Sequence, residues 1–415
     1  MKKFLIMIII IICFTSLSAK GKIEAEVKRD RAIVRKGPAS FFEIISEMRK
    51  GDIFTILDEE DGWFEITYAD NMGFVSQKVT KENKGQEDFF SRMATKPVSL
   101  QISQHGMSAG VKGFAERFSR KFDGDLSFSE ILEKYSFSQK EYEKFRKKTY
   151  KGFNLKKNRK KIHLPDYSGK EYFSFSEEGI GIGIASKIAS IGLYRNRNIQ
   201  DYINFVGNII VESTDAYDIG FKFFILDTNK VNAYACPGGI IFITKGMLKQ
   251  IDSEAELAFV LAHEIAHVAR HHGMLELEER KQQVMADDAF MDMEKEMDEI
   301  GGGFDEEIGD VEAEMEDLAV QFYDTIFNGR LEQYEEEADH LGLLYTARAG
   351  YNAREALALL NRLYLIESQS TNEHYTYQQI RKRISIIKNN PYHLSLPKKL
   401  FNHKARWKEA AIFID

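Results

Sequence analysis

Cysteine is nearly absent from this chain. Its 415 residues hold two, Cys13 and Cys236, and the first falls in an N-terminal apolar run. Once that run is removed Cys236 stands alone. No intramolecular disulfide is then available, and stability must come from ordinary hydrophobic cores. Proline is scarce, at 6 residues, while 43% of the chain is hydrophobic and 29% charged. That balance excludes a wholly disordered or low-complexity protein. Positive charge is not in excess: the net charge is −7, which argues against a dedicated nucleic-acid binder. After residue 19 no apolar stretch approaches the roughly 20 residues that a spanning helix needs. The mature protein is therefore expected to have no integral membrane span.

Residues 1–18 read as a signal peptide. Lys2 and Lys3 form a short basic start, Phe4 to Phe14 is an unbroken apolar run, and Ser16 and Ser18 are placed for cleavage after Ser18. Ile12 precedes Cys13 where a lipoprotein signal carries a small residue. The expectation is an exported protein, periplasmic or otherwise extracytoplasmic. Retention as an N-terminal anchor is the alternative.

The length predicts more than one domain. Residues 23–80 read as short strands: Ile44-Ile45, Ile53 to Leu57, Trp63 to Tyr68 and Gly73 to Val75, separated by turn signals at Gly37-Pro38, Lys50-Gly51-Asp52, Asp61-Gly62 and Asp70-Asn71. A small all-β barrel follows. The run Val34-Arg35-Lys36-Gly37-Pro38, then Gly51-Asp52, Asp61-Gly62-Trp63 and Gly73-Phe74-Val75-Ser76, resembles the bacterial SH3-like domain. The resemblance implies a binding or packing module, with peptidoglycan or envelope proteins as partners. Residues 81–175 read as a helical, basic linker region, amphipathic over 86–147 and carrying the basic run Lys156 to Lys161. Residues 177–390 read as one mixed domain, and 391–415 as a C-terminal tail. In the mixed domain, helices are expected from Gly179 to Tyr194 and from Ile199 to Val211. Strands are expected at Lys222–Leu226 and Ile240–Thr244. Ser253 with Glu256 forms a capping box for a helix over 254–272. The Gly179-x-Gly181-x-Gly183 pattern lacks a preceding strand and is not read as a nucleotide loop.

That long helix carries Ala262-His263-Glu264-Ile265-Ala266-His267. Residues four apart share a helix face, so His263 and His267 can offer imidazoles to one Zn²⁺. Glu264 is placed to act on water as general base. A catalytic zinc needs a third protein ligand. A metzincin would place Gly at 270 and His at 273, but the chain has Arg270 and Gly273. His271 lies one turn past His267, and three imidazoles along one helix cannot meet at one ion. The best source is Tyr334-Glu335-Glu336-Glu337-Ala338-Asp339. Glu335 can complete the site while Asp339 accepts a hydrogen bond from a ligand imidazole. Glu332 and Glu336 fall near the same face, and spacing alone leaves them open.

Several motifs occur in order: Asn232-Ala233-Tyr234-Ala235-Cys236-Pro237-Gly238-Gly239, Thr244 to Leu248, Glu254 to Ala258, the His-Glu-x-x-His helix, Glu335-x-x-Ala338-Asp339-x-x-Gly342 and Ala349-Gly350-Tyr351. Together they resemble the HtpX-type and BepA-type zinc metallopeptidases, a group that includes the CAAX prenyl proteases and the Oma-type enzymes. The resemblance implies an α+β gluzincin (zincin-like) domain, mainly helical with a small sheet. It implies one zinc per chain held by His263, His267 and Glu335, with Glu264 as base. Asn232, Ala233, Tyr234, Gly238 and Gly239 would border the substrate cleft. Relatives carry a His-Pro segment and a following Arg near the C-terminal end. Here His374 precedes Tyr375, with Arg381 and Arg383 beyond, and His374 is a further cleft candidate. Tyr351, Tyr234 and His374 are the candidates to assist an oxyanion.

Residues 276–317 form an acidic insert between the two motif helices, with 18 acidic against three basic residues, a local charge of −15. The rest of the chain is then +8 against the total of −7. A solvated loop and a methionine-dotted flap over the cleft, docking on the basic run 156–161, are the two readings. The expected function is zinc-dependent hydrolysis of peptide bonds in extracytoplasmic proteins, misfolded envelope proteins among them. The alternatives are a chaperone or assembly factor on the same fold, and a cell-wall-binding protein.

Overall fold

The structure is a computed structural model. It describes residues 23–81 apart from 30 and 70, then 116–166, 175–275, 319–321, 323, 326, 332–367, 376–390, 397 and 400–414. The signal segment 1–18, the acidic insert 276–317 and His374 lie outside the described residues. The chain divides into two compact units, one holding residues up to 38 with 44–81, the other 39–43 with the rest.

The first unit is an antiparallel sheet of β1 (Ile23–Glu26), β2 (Arg31–Arg35), β3 (Ile44–Arg49), β4 (Ile53–Glu60), β5 (Trp63–Tyr68) and β6 (Asn71–Ser76). The order is β1-β4-β5-β6-β2-β3. Asp61 and Gly62, at φ 42° and 95°, join Glu60 to its partner Trp63. Two left-handed residues in a two-residue loop match the right-handed twist of the flanking strands. Val34, Met48, Phe54, Ile66 and Val75 fill the interior. This is the small all-β unit expected from the strand spacing.

The second unit is mainly helical around a three-stranded sheet: β7 (Lys222–Leu226), β8 (Ala233–Cys236) and β9 (Ile240–Thr244), in the order β7-β9-β8. β7 runs parallel to β9 and β8 antiparallel. Both faces are covered. Phe223, Ile225, Ala235, Ile241 and Ile243 join one core, while Phe224, Leu226, Tyr234, Cys236 and Phe242 join another. Burial on both faces explains why these strands read as continuous apolar runs instead of alternating.

The helices are α1 (Phe128–Lys134), α2 (Gln139–Thr149), α3 (Leu155–Lys161), α4 (Phe175–Ala189), α5 (Arg197–Val211), α6 (Lys245–Gln250), α7 (Glu254–Ala269), α8 (Glu332–Arg348), α9 (Glu355–Glu367), α10 (Thr376–Asn389) and α11 (Lys404–Ala411). Every residue of α7 is buried, as expected of a central helix with apolar residues all round. The expected helix from Gly179 to Tyr194 is α4, which starts earlier and stops at Ala189. Its Gly181 is no nucleotide loop: a Cβ there would stand 2.1 Å from the Pro237 carbonyl oxygen, so glycine permits that close approach.

Three expectations need correction. The motif helix ends at Ala269, not 272. Arg270 caps it and His271 takes φ 53°, so the chain reverses before His272. The capping box is displaced by one residue. Ser253 Oγ accepts from Glu256 N–H at 3.3 Å, but Glu256 Oε2 accepts from Asp252 N–H at 2.7 Å and pairs with Arg362 at 2.5 Å. The described stretches of the regions read as linker and tail, 116–166 and 400–414, are structural parts of the second unit. Tyr142 of α2 lies in the main core, and Asn158 of α3 donates to the Ala347 carbonyl at 2.8 Å. In the basic run, Arg159 contacts Ser213 Oγ at 3.0 Å and Glu212 at 3.8 Å. At the C-terminal end, Trp407 Nε1 donates to the Ile251 carbonyl at 2.6 Å. Arg406 Nε donates to Glu254 at 2.6 Å.

Candidate metal centre

The site forms where α7 and α8 cross. Gly342 makes the crossing close, since a Cβ there would lie 3.2 Å from the His263 amide nitrogen. Ala338, one turn earlier, is fully buried. This contact aligns Glu335 and Asp339 of α8 with His263 and His267 of α7.

The two imidazoles meet through their Nε2 atoms, 3.1 Å apart. Glu335 Oε2 lies 3.4 Å from His263 Nε2, and its Oε1 lies 3.3 Å from His267 Nε2. Among the described residues these three are the group whose donor atoms could hold a metal ion. Zinc–nitrogen and zinc–oxygen bonds of about 2.0–2.1 Å in a tetrahedron separate neighbouring ligand atoms by roughly 3.3 Å. The observed separations fit that edge length, and the donor set is one zinc accepts. Three protein donors also leave the fourth position that a catalytic site keeps open.

His263 Nδ1 faces Asp339 Oδ1 at 3.1 Å. Asp339 in turn accepts two hydrogen bonds from Arg383 of α10, at 2.8 and 2.7 Å. Arg383 Nη1 also approaches Glu335 at 3.5 Å. Burial opposes charge throughout this cluster, yet ion pairing wins. Burial and Arg383 push His263 down, but Glu335 and Asp339 overcome both and raise it to about 9. Burial would raise Glu335, but the two imidazoles hold it well below the carboxylate range. Burial likewise opposes the lowering of Asp339, which Arg383 and His263 bring about. Arg383 is the participant that sequence reasoning passed over. Its signal was only the Arg that follows the His-Pro segment in relatives.

Glu332 and Glu336, left open by spacing, pair with Lys382 and do not join the cluster. Glu264 is 8% exposed, and its charge is felt at Arg383 and Tyr234. Tyr234 lies in β8 opposite Phe242; burial, with smaller contributions from Tyr323 and Glu264, raises its hydroxyl. Asn232 ties the start of β8 to Thr244, whose hydroxyl donates to its carbonyl at 2.9 Å. Ala233 pairs with Ile243. Gly238 and Gly239 form the turn after β8, against Glu178 and Gly220 respectively. Tyr351 is fully buried and donates to Glu254 at 2.7 Å, at the opposite end of α7. It is thereby removed as an oxyanion candidate.

Residues 197–391 match the model of Peptidase family M48, and residues 30–81 match that of the Bacterial SH3 domain. The chain is 34% identical over 93 residues to the Beta-barrel assembly-enhancing protease of Yersinia pestis, covering 22% of this chain and 19% of that one. It is 29% identical over 168 residues to the Putative beta-barrel assembly-enhancing protease of Vibrio cholerae, covering 40% and 33%. It is 37% identical over 71 residues to the Mitochondrial metalloendopeptidase OMA1 of Schizosaccharomyces pombe, covering 17% and 21%. The chain thus spans no more than 33% of the length of these relatives. With the donor cluster inside the matched stretch, the chain joins a bacterial SH3 domain to a metallopeptidase domain of family M48.

Proposed function

We propose that the protein is a zinc-dependent endopeptidase acting on extracytoplasmic proteins, with one zinc per chain. The observation that carries this reading is the convergence of His263 Nε2 and His267 Nε2 of α7 with the Glu335 carboxylate of α8 at tetrahedral spacing, α7 also bearing Glu264. A zinc ion held there would polarise the scissile carbonyl and lower the pKa of the attacking water from 15.7 toward about 7. Glu264 takes the proton of that water and returns it to the leaving amine. Asp339 fixes the ring of His263, and Arg383 holds Asp339 in place. The substrate chain lies extended beside β8, which packs directly on α7. Main-chain hydrogen bonds then give broad sequence tolerance. The outer side of β7 is occupied instead, by Leu193 and by the Tyr194 N–H donating to the Ile225 carbonyl at 2.8 Å.

The apolar run at Phe4–Phe14 supports export. Among the described residues no helix is long and apolar enough to cross a membrane. The SH3 domain is assigned a binding role toward peptidoglycan or envelope proteins. A second reading, an assembly factor on the same fold, is favoured by the names of the Yersinia and Vibrio relatives.

The test compares the purified chain with Glu264→Gln for zinc content and cleavage of casein. One zinc in both forms, with cleavage lost only in the variant, is the expected result. Absence of zinc from the native chain would overturn the reading. Full cellular function in a Glu264→Gln strain would favour the assembly factor.

A further inference from the structure

The two imidazoles of the cluster are steadied differently. His263 turns its Nδ1 to a carboxylate, Asp339. His267 turns its Nδ1 to another imidazole: the Nδ1 of His272, 3.0 Å away. The two rings stand 5.0 Å apart at 78°. This contact exists because α7 stops at Ala269 and His271, at φ 53°, folds the chain back. His272 is fully buried and packs on Tyr334, ring centroids 4.8 Å apart. Its Nε2 faces Glu337 Oε2 at 3.3 Å. Glu337 Oε1 lies 3.4 Å from Arg270 Nε, and Arg270 is anchored by Asp215 at 2.5 Å.

With His272 neutral, donor and acceptor roles along this line follow in sequence. A carboxylate only accepts, so His272 carries its proton on Nε2. The Nδ1 of a neutral His272 is then a lone pair, and His267 must donate from its own Nδ1. In the metal-binding form His267 then keeps its lone pair on Nε2, which lies 3.1 Å from His263 Nε2 and 3.3 Å from Glu335 Oε1. We propose that His272 and Glu337 are positioning residues that set the tautomer and ring orientation of His267 for metal binding. The inference rests on the zinc reading above and adds to it a pair of residues outside the ligand set. Such partners of a ligand imidazole commonly change metal affinity by roughly 10–100-fold when removed.

The test measures zinc affinity by competition with a chromogenic chelator, in the native chain and in His272→Ala, His272→Asn and Glu337→Ala. The carbonyl of Asn can occupy the position of the His272 Nδ1 acceptor. His272→Ala is expected to bind zinc roughly 10–100-fold more weakly, with His272→Asn recovering most of the loss. Glu337→Ala is expected to weaken binding less, and to add nothing in the His272→Ala background, because the two act in one line. Nitrogen-15 shifts of His267 should report the proton on Nδ1 in the native apo-protein. Zinc affinity unchanged in both alanine variants, or a His267 Nδ1 without a proton, overturns the inference and leaves the zinc site standing. A lower melting temperature with native zinc affinity also overturns it, since that is the mark of a merely structural contact. Failure of the native chain to bind zinc removes the underlying reading and the inference together. If His272→Ala does not fold, Glu337→Ala decides, because the Glu337 side chain is 46% exposed and outside the core.

Discussion

Gly342 lies against the backbone of His263, with room for no side chain between α8 and α7: its Cβ would stand 3.2 Å from the amide nitrogen and 3.3 Å from the Cα. Two helices that supply ligands to one ion must cross at a fixed height, and this contact sets it. Gly342→Val should push α8 outward. Overpacking of this kind costs about 1–3 kcal/mol. A lowered melting temperature, together with weaker zinc binding, is the expected outcome. Native zinc affinity in a folded Gly342→Val would show that the crossing tolerates displacement.

The acidic face of α8 offers several carboxylates, and among them Glu335 faces the Nε2 atoms of both imidazoles. Metal analysis of single variants separates them. Glu335→Gln should lose zinc, as should His263→Ala and His267→Ala. Glu332→Gln and Glu336→Gln should keep it, because those side chains pair with Lys382. Zinc loss in either of the last two would reassign the third ligand.

Arg383 grips Asp339 through two hydrogen bonds at 2.8 and 2.7 Å. Lysine offers a single point charge and no planar fork. Arg383→Lys should therefore behave much like Arg383→Ala in peptidase assays, with kcat reduced by roughly tenfold or more. A lysine variant of native activity would show that charge alone suffices.

Glu254 is completely buried at the start of α7 and receives hydrogen bonds from Tyr351 at 2.7 Å, from Arg406 at 2.6 Å and from Tyr202. Removing the cation leaves a buried charge without its partner, which costs about 3–5 kcal/mol. Arg406→Ala should lower the denaturation midpoint by that amount while the folded fraction still binds zinc. A change below about 1 kcal/mol would place the pair in the range of ordinary surface contacts.

Much of this architecture was legible from the chain. β7 and β9 matched their expected bounds because strands buried on both faces carry their own signal. The His263–His267 spacing needs only helical geometry, and Gly342 entered as part of a recognised motif. β8 was less visible. Ala233 to Cys236 is short, and Pro237-Gly238-Gly239 behind it reads as turn. The end of α7 was misplaced because nothing in Arg270-His271-His272 forbids helix; the reversal depends on the left-handed backbone of His271. That same reversal hid His272. The contributions of α3 and α11 were invisible for a different reason. The bonds from Asn158 to Ala347 and from Trp407 to Ile251 join positions far apart in sequence, where local pattern carries no information.

α7 is tethered at both ends by ion pairs, Glu254 to Arg406 at its start and Arg270 to Asp215 just past its finish. It is a beam clamped at two supports, with the metal donors between them. Neither clamp involves the donors themselves. Stripping the ion should therefore leave the beam where it is, making metal loss a reversible event rather than the first step of unfolding. Chelation followed by added metal should then restore the occupied site without any refolding step.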